Sequence, residues 1–198
     1  MSLRRDIQAV VIGASAGGVE ALFQLLDELP ANYSLPLVVV LHLPESRESL
    51  LVDLFDRRLR LPVREAQDKA PVQPGTLYFA SAGYHLSIEQ DRSFALSREA
   101  PRHFSRPSID ILFESAADTY REHLAGVLLT GANEDGAAGL ARIHAGGGLS
   151  IVQDPAEASI ATMPQAAIDL HRADYILPLR EIHALLCRLD PNHADLSA

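Results

Sequence analysis

The sequence is poor in cysteine: one among 198 residues, Cys187. A lone cysteine excludes an internal disulfide framework and any cysteine-based zinc site. Cys187 reads as a buried apolar residue on the last helix. No apolar run reaches about 18 residues, the length a membrane-spanning helix needs. The segment Met1 to Asp6 lacks the long apolar stretch and small-residue cleavage site of a signal peptide. A cytoplasmic protein without membrane insertion is expected. Basic residues are scarce as well: 17 Lys and Arg stand against 26 Asp and Glu, a formal net charge of −9. That balance argues against nucleic-acid binding, which needs a basic footprint. Repeats, low-complexity tracts and long linkers are missing too.

What is present is a 47% hydrophobic composition, enough to build the core of one α/β domain. Apolar runs alternate with helical patterns, as in a parallel sheet covered by helices. Ile7 to Ile12 is the first run. Val19, Leu22, Phe23, Leu26 and Leu29 then fall at helical spacing, closed by Pro30. Leu35 to Leu41 is continuous, as for a strand buried on both faces. A second helix follows over Leu50 to Leu59, then a short strand at Pro62 to Arg64. The middle changes character. Thr76 to Ala80, Tyr84 to Glu89 and Ser93 to Leu96 are short and alternating, and read as antiparallel strands or an inserted hairpin. The α/β rhythm resumes with a stripe from Ile109 to Tyr120, a strand at Leu124 to Leu129 and a helix at Ala137 to Ala145. Strand Leu149 to Val152, a helix near Pro164 to Leu170, strand Tyr175 to Leu177 and a helix from Arg180 complete it. The expected fold is a three-layer α/β/α domain over residues 1–190, with a mostly parallel doubly wound sheet and an inserted antiparallel hairpin. A polar, frayed tail is expected from Asp190, with residues 191–198 outside the domain.

Three segments carry candidate chemistry. Gly13-Ala14-Ser15-Ala16-Gly17 matches the G-x-S-x-G elbow, in which a sharp strand-to-helix turn exposes a serine nucleophile. Ser15 also suits a helix cap, and the turn also suits a Rossmann-type phosphate site. The second strand, however, ends Leu41-His42-Leu43-Pro44, without the acid that holds a ribose. His42 follows a buried strand, at the carboxyl end where open α/β sheets form their crevice. Asp135 follows the strand Leu124 to Leu129 and precedes a helix, so it fits both an N-cap and a catalytic acid. Glu134 is the rival acid. Serine, histidine and aspartate at three strand ends suggest acyl transfer. The Ala16 N–H is the first oxyanion donor to consider, with the loop from Gly131 through Ala132 as a second source. No metal or cofactor is required. A basic strip, Arg92, Arg98, Arg102, His103 and Arg106, suits either a solvated hairpin face or the steering of an acidic partner, and Arg106 is its substrate-facing candidate.

The chain resembles the catalytic domain of the chemotaxis receptor methylesterases, the CheB type. The colinear pieces are Gly13-Ala14-Ser15-Ala16-Gly17-Gly18, Leu41-His42-Leu43-Pro44, Pro74-Gly75, Ser105-Arg106-Pro107-Ser108-Ile109-Asp110, Leu129-Thr130-Gly131, Asp135-Gly136-Ala137-Ala138-Gly139, Gln153-Asp154 and Met163-Pro164. The resemblance implies hydrolysis of glutamate γ-methyl esters on chemoreceptor-like proteins, and deamidation of glutamines, with Ser15 as nucleophile, His42 as base and Asp135 as orienting acid. Its implied partners are a methylated chemoreceptor or similar signalling protein, and a separate response regulator or methyltransferase. The family's receiver domain is expected to be absent. Position 16 is Ala where receptor-acting members often have Thr, and Ala132-Asn133-Glu134 replaces a frequent Met-Gly-Asn. Two other classes stay open: a catalytically weak module docking on a receptor or methyltransferase, and a nucleotide-binding Rossmann domain.

Overall fold

The computed structural model describes residues 6–42 and 50–193; Leu43 and Pro44 of the matched segment lie outside them. Where strands run apolar without a break, they lie centrally. β1 (Ala9–Ala14), β2 (Leu37–Leu41) and β7 (Leu124–Leu128) are buried at every position. Around them stand β3 (Val63–Glu65), β4 (Leu77–Phe79), β8 (Leu149–Gln153) and β9 (Tyr175–Leu177), in the order β3-β4-β2-β1-β7-β8-β9, with every pairing parallel. The edges are polar or half-covered: Arg64 and Glu65 of β3 are exposed, as is Ile176 of β9.

Side chains alternate between two cores, as the period of a strand requires. Val10, Ile12 and Val39 pack beneath α1 (Gly18–Leu26), α2 (Leu51–Asp56) and α6 (Leu179–Leu189), through Leu22, Phe55 and Leu186 among others. Val11, Val38 and Val40 face α3 (Ile109–Tyr120), α4 (Ala137–Ala145) and α5 (Thr162–Leu170) on the opposite side. The three-layer architecture is therefore as expected. β5 (His85–Ile88) and β6 (Phe94–Ser97) form the one antiparallel pair among the described residues, and lay Leu86, Ile88 and Phe94 into the second core.

Two expectations need correction. The stretch around Thr76 to Ala80 is not part of an antiparallel insertion. Leu77, Tyr78 and Phe79 are all buried, and an apolar run covered on both faces belongs inside the parallel sheet, between β2 and β3. Nor does the chain fray at Asp190. That residue is fully buried, and it accepts hydrogen bonds from the Ser34 hydroxyl and from the Ser34 N–H (3.2 Å). Asn192 then donates to the Asn32 carbonyl at 2.9 Å.

Candidate active site

β1 ends at Ala14 and α1 starts at Gly18, so Ser15-Ala16-Gly17 make the whole turn. Gly17 has φ +79, and a Cβ there would stand 2.8 Å from Ser159 Cβ, so both backbone and neighbour demand glycine. The Ser15 N–H donates to Thr130 O (2.9 Å), and the Ser15 carbonyl accepts from the Gly18 N–H (2.8 Å). Among the described residues no acceptor takes the Ala16 N–H. The His42 N–H donates to Ala14 O at 3.0 Å, so Ser15 and His42 leave neighbouring strands side by side. β1 is also the strand from which the order runs one way through β2 and the other way through β7, the switch point where open α/β sheets form their crevice.

His42 Nε2 lies 3.0 Å from Asp135 Oδ2. The approach is close but not well aligned, because Nε2 makes no well-formed hydrogen bond. Nδ1 faces away from the acid, 3.5 Å from the Ser105 hydroxyl. No hydrogen bond joins Ser15 to His42. Asp135 is fully buried yet well supplied with donors. Ser108 Oγ donates to Oδ1 (2.8 Å), the Ile109 N–H to Oδ2 (2.7 Å) and the Asp110 N–H to Oδ1 (3.0 Å). Burial alone would push its pKa up. The His42 contact and the two backbone N–H groups overcome that and hold the carboxyl below its ordinary value, so it stays charged beside the imidazole.

Asp135 does not cap its own helix, as the sequence suggested. Gly136 is the N-cap of α4, with φ +95 and no side-chain bond. Asp135 instead serves the first turn of α3. Asp110, in that first turn, returns the favour: its Oδ1 accepts from Gly136 N (3.0 Å) and Gly139 N (2.7 Å) at the start of α4. The two helix N-termini thus exchange acids. Each carboxylate satisfies N–H groups that have no partner inside the other helix, and each meets the positive end of a helix dipole. Glycine permits this approach. A Cβ on Gly136 would stand 2.6 Å from Ile109 Cγ2. Burial first, and the charge of Asp135 next among the opposing influences, hold Asp110 above its ordinary pKa; the Gly139 N–H, Arg102 and His103 offset them only in part. Two neighbouring acids with pKa values driven apart are a mark of acid–base sites.

The remaining candidates divide. Gly131 is not a free donor: its N–H is spent on Ile160 O at 3.1 Å, since the loop packs against the residues leading into α5. Ala132 is exposed, and no acceptor takes its N–H among the described residues. Arg106 makes no hydrogen bond to Ser15, His42 or Asp135. Its Nη1 donates to Glu99 O (3.1 Å) and Arg98 O (3.4 Å), and it lines an adjacent open cavity with Ala82, Gly83, Tyr84 and Arg98. The basic strip is divided too. Arg102 is bound to Glu114 through both terminal nitrogens at 2.8 Å, and Arg92 donates to Gln8. Glu134, the rival acid, is 71% exposed and meets His103 rather than His42. His103, Asp110 and Asp135 bring ligand atoms within 4.8 Å of one another, but both acids already accept the N–H groups just described.

Sequence reasoning passed over several residues that build the site. Ser105, Ser108 and Asp110 stand in a segment that resembles the family, where the residue pattern alone gives them no roles. His85 is buried, accepts from Ser108 N at Nδ1 (3.2 Å) and reaches Ala100 O with Nε2 (3.0 Å), fixing the loop that carries Ser108. Thr130 Oγ1 ties Ala16 O (2.9 Å) to the loop at Ile160. A polar residue inside an apolar stripe, such as Asp110 beside Ile109 and Leu112, was the available signal.

The family model for CheB methylesterase matches residues 10–186. The chain belongs to the CheB methylesterase family. A Leptospira interrogans relative, assigned by name to protein-glutamate methylesterase/protein-glutamine glutaminase, is 43% identical over 96% of this chain and 98% of its own length. Protein-glutamate methylesterase/protein-glutamine glutaminase 1 of Hahella chejuensis is 39% identical over 90% of this chain, which spans 50% of that longer protein. The crystal structure of the Thermotoga maritima CheB methylesterase catalytic domain superimposes with a TM-score of 0.87 at 33% identity, covering 91% of this chain and 97% of that one. The CheB fold is therefore common to both. No helix among the described residues is long and apolar enough to cross a membrane.

Proposed function

We propose that this chain is a protein-glutamate methylesterase that hydrolyses glutamate γ-methyl esters on a chemoreceptor or similar signalling protein, with Ser15, His42 and Asp135 as its triad. The observation that carries the reading is the charged, fully buried Asp135 set 3.0 Å from His42, one strand from the half-exposed Ser15. Nε2 is occupied by the acid, so Nδ1 is the nitrogen that takes the Ser15 proton. Oγ then attacks the ester carbonyl, and the Ala16 N–H receives the oxyanion. Collapse expels methoxide, which leaves as methanol with the proton from the imidazolium. Water, deprotonated by His42, releases glutamate and regenerates Ser15. A glutamine side chain enters the same sequence with ammonia leaving in place of methanol, the glutaminase activity that the relatives' names include. A cytoplasmic location accompanies this substrate class.

The missing Ser15–His42 hydrogen bond favours a second reading, a docking module with little turnover. One measurement separates them: methanol release from a methylated receptor protein by wild type and by Ser15→Ala. Release by wild type alone is the expected result. No release by either rejects the esterase reading.

A further inference from the structure

The Phe104 ring is wholly exposed, with a relative accessibility of 104%. It stands on a tight turn in which the Arg102 N–H donates to Ser105 O (3.1 Å) and the Ser105 N–H to Arg102 O (2.9 Å). Both central residues are left-handed, His103 at φ +50 and Phe104 at φ +62. Such turns favour Asn-Gly, and a bulky side chain at positive φ is an outlier. The surroundings impose the conformation. Arg102 is clamped to Glu114, and His103 Nε2 sits 3.1 Å from Asp110 Oδ2 while Nδ1 approaches Glu134 (3.5 Å). Backbone strain held by over-determined neighbours gathers at ligand clamps and active sites. This turn is next to one: Ser105 is the residue beside His42 Nδ1. An aromatic ring this exposed, presented on a tight turn next to the residue beside His42, has the form of a binding hot spot.

We propose, resting on the methylesterase reading, that Phe104 is an apolar anchor that docks the protein segment carrying the methyl ester, and so selects protein substrates over small esters. The adjoining charges indicate the occupant's chemistry. Arg98 and Arg106 line the neighbouring cavity, and among the described residues neither is paired with a carboxylate, within a chain of net charge −9. The fitting occupant is an acidic segment with an apolar flank, its ester over Ser15, its flank on Phe104 and a neighbouring carboxylate toward Arg98 and Arg106.

The test compares a methylated receptor protein with p-nitrophenyl acetate, an ester that carries no protein flank, using Phe104→Ala and Phe104→Gly. KM for the protein should rise roughly 10-fold in both variants, as for loss of a hot-spot side chain, with kcat and small-ester turnover unchanged. Phe104→Gly relieves the positive φ and should melt no lower than wild type, which separates docking from folding. Unchanged KM for the protein substrate overturns the proposal alone. Equal losses on both substrates in folded variants overturn it in favour of a positioning role toward His42. Wild type active on the small ester but not on the methylated protein rejects the methylesterase reading and the anchor with it.

Discussion

Among the described residues a serine, a histidine and an aspartate come together more than once, and two of these clusters contrast sharply. One is Ser15, His42 and Asp135 at the carboxyl ends of β1 and β2 and beyond β7. The other is Ser150, His144 and Asp174 at the amino end of β8, where His144 Nδ1 lies 3.1 Å from Asp174 Oδ2 and Ser150 Oγ donates to the same oxygen at 2.9 Å. By composition and by histidine–acid distance the two are alike. They differ in what the serine is free to do. Ser150 is buried, its Oγ accepts from the Asp174 N–H (2.9 Å), and its own N–H returns to Asp174 (2.8 Å). That hydroxyl is saturated and staples β8 to the entry of β9. Ser15 is half-exposed on a turn, with an unclaimed N–H beside it and a charged acid behind the imidazole. On the proposed reading, a triad is recognised by an unsatisfied serine beside a histidine–acid pair, not by residue types in proximity.

Exchanging the serines gives the sharpest test of this contrast. Ser15→Ala should lower turnover on the methyl ester by about 10⁴-fold or more, while Ser150→Ala leaves it within about two-fold and destabilises the fold by roughly 1–3 kcal/mol through its unsatisfied buried partners. Kinetics beside chemical denaturation decide it, and a large kinetic loss in Ser150→Ala would collapse the distinction. Next in size is Asp135→Asn. Asparagine keeps one acceptor oxygen and turns an NH₂ toward N–H groups of α3, so activity should fall on the order of 10³-fold and stability by about 2 kcal/mol together. An inactive variant with wild-type stability would refute the role given to Asp135 in capping α3.

The two exchanged acids should respond oppositely. Asp110 places both N–H contacts on one oxygen, which Asp110→Asn preserves. Its pKa is raised on folding, so ionisation opposes the fold as pH climbs through that range, and the substitution should leave stability at pH 7 within about 1 kcal/mol of wild type or above it. Asp135 has its pKa lowered on folding. Its charge stabilises the fold above the unfolded value and ceases to do so as pH falls through the native one. The stability gap between wild type and Asp135→Asn should therefore narrow from about pH 6 to about pH 3; a gap that widens would reverse the sign. The smallest effect belongs to Ser105→Ala, a few-fold in kcat at most, since its 3.5 Å contact with His42 is at the limit of a hydrogen bond.

Much of the site was legible because Ser15 and His42 directly follow buried apolar runs and Asp135 lies one short loop beyond another, and a run ends where the parallel sheet opens. The central strands and the helical stripes were legible for the same reason of periodicity. What escaped depends on partners distant in sequence. Nothing local tells Asp135 from an ordinary N-cap, because the helix it serves starts at Ile109. Asp190 reads as a polar tail until Ser34 is seen to receive it. Leu77 to Phe79 is too short for its pattern to separate a parallel strand from an antiparallel one, and only burial on both faces decides. The Gly131 N–H could be judged only once the Ile160 loop was in place.

The exchange of acids between α3 and α4 also bears on how such a domain can lose its chemistry over evolutionary time. A descendant released from catalysis can discard Ser15, whose side chain bonds to nothing in the described structure. Discarding Asp135 would unseat the start of α3. Drift should therefore erase the nucleophile early and the acid late, leaving silent homologues that still carry the aspartate. On the proposed triad, an intact acid among relatives of this chain reports a sound fold, and only the serine reports a working enzyme.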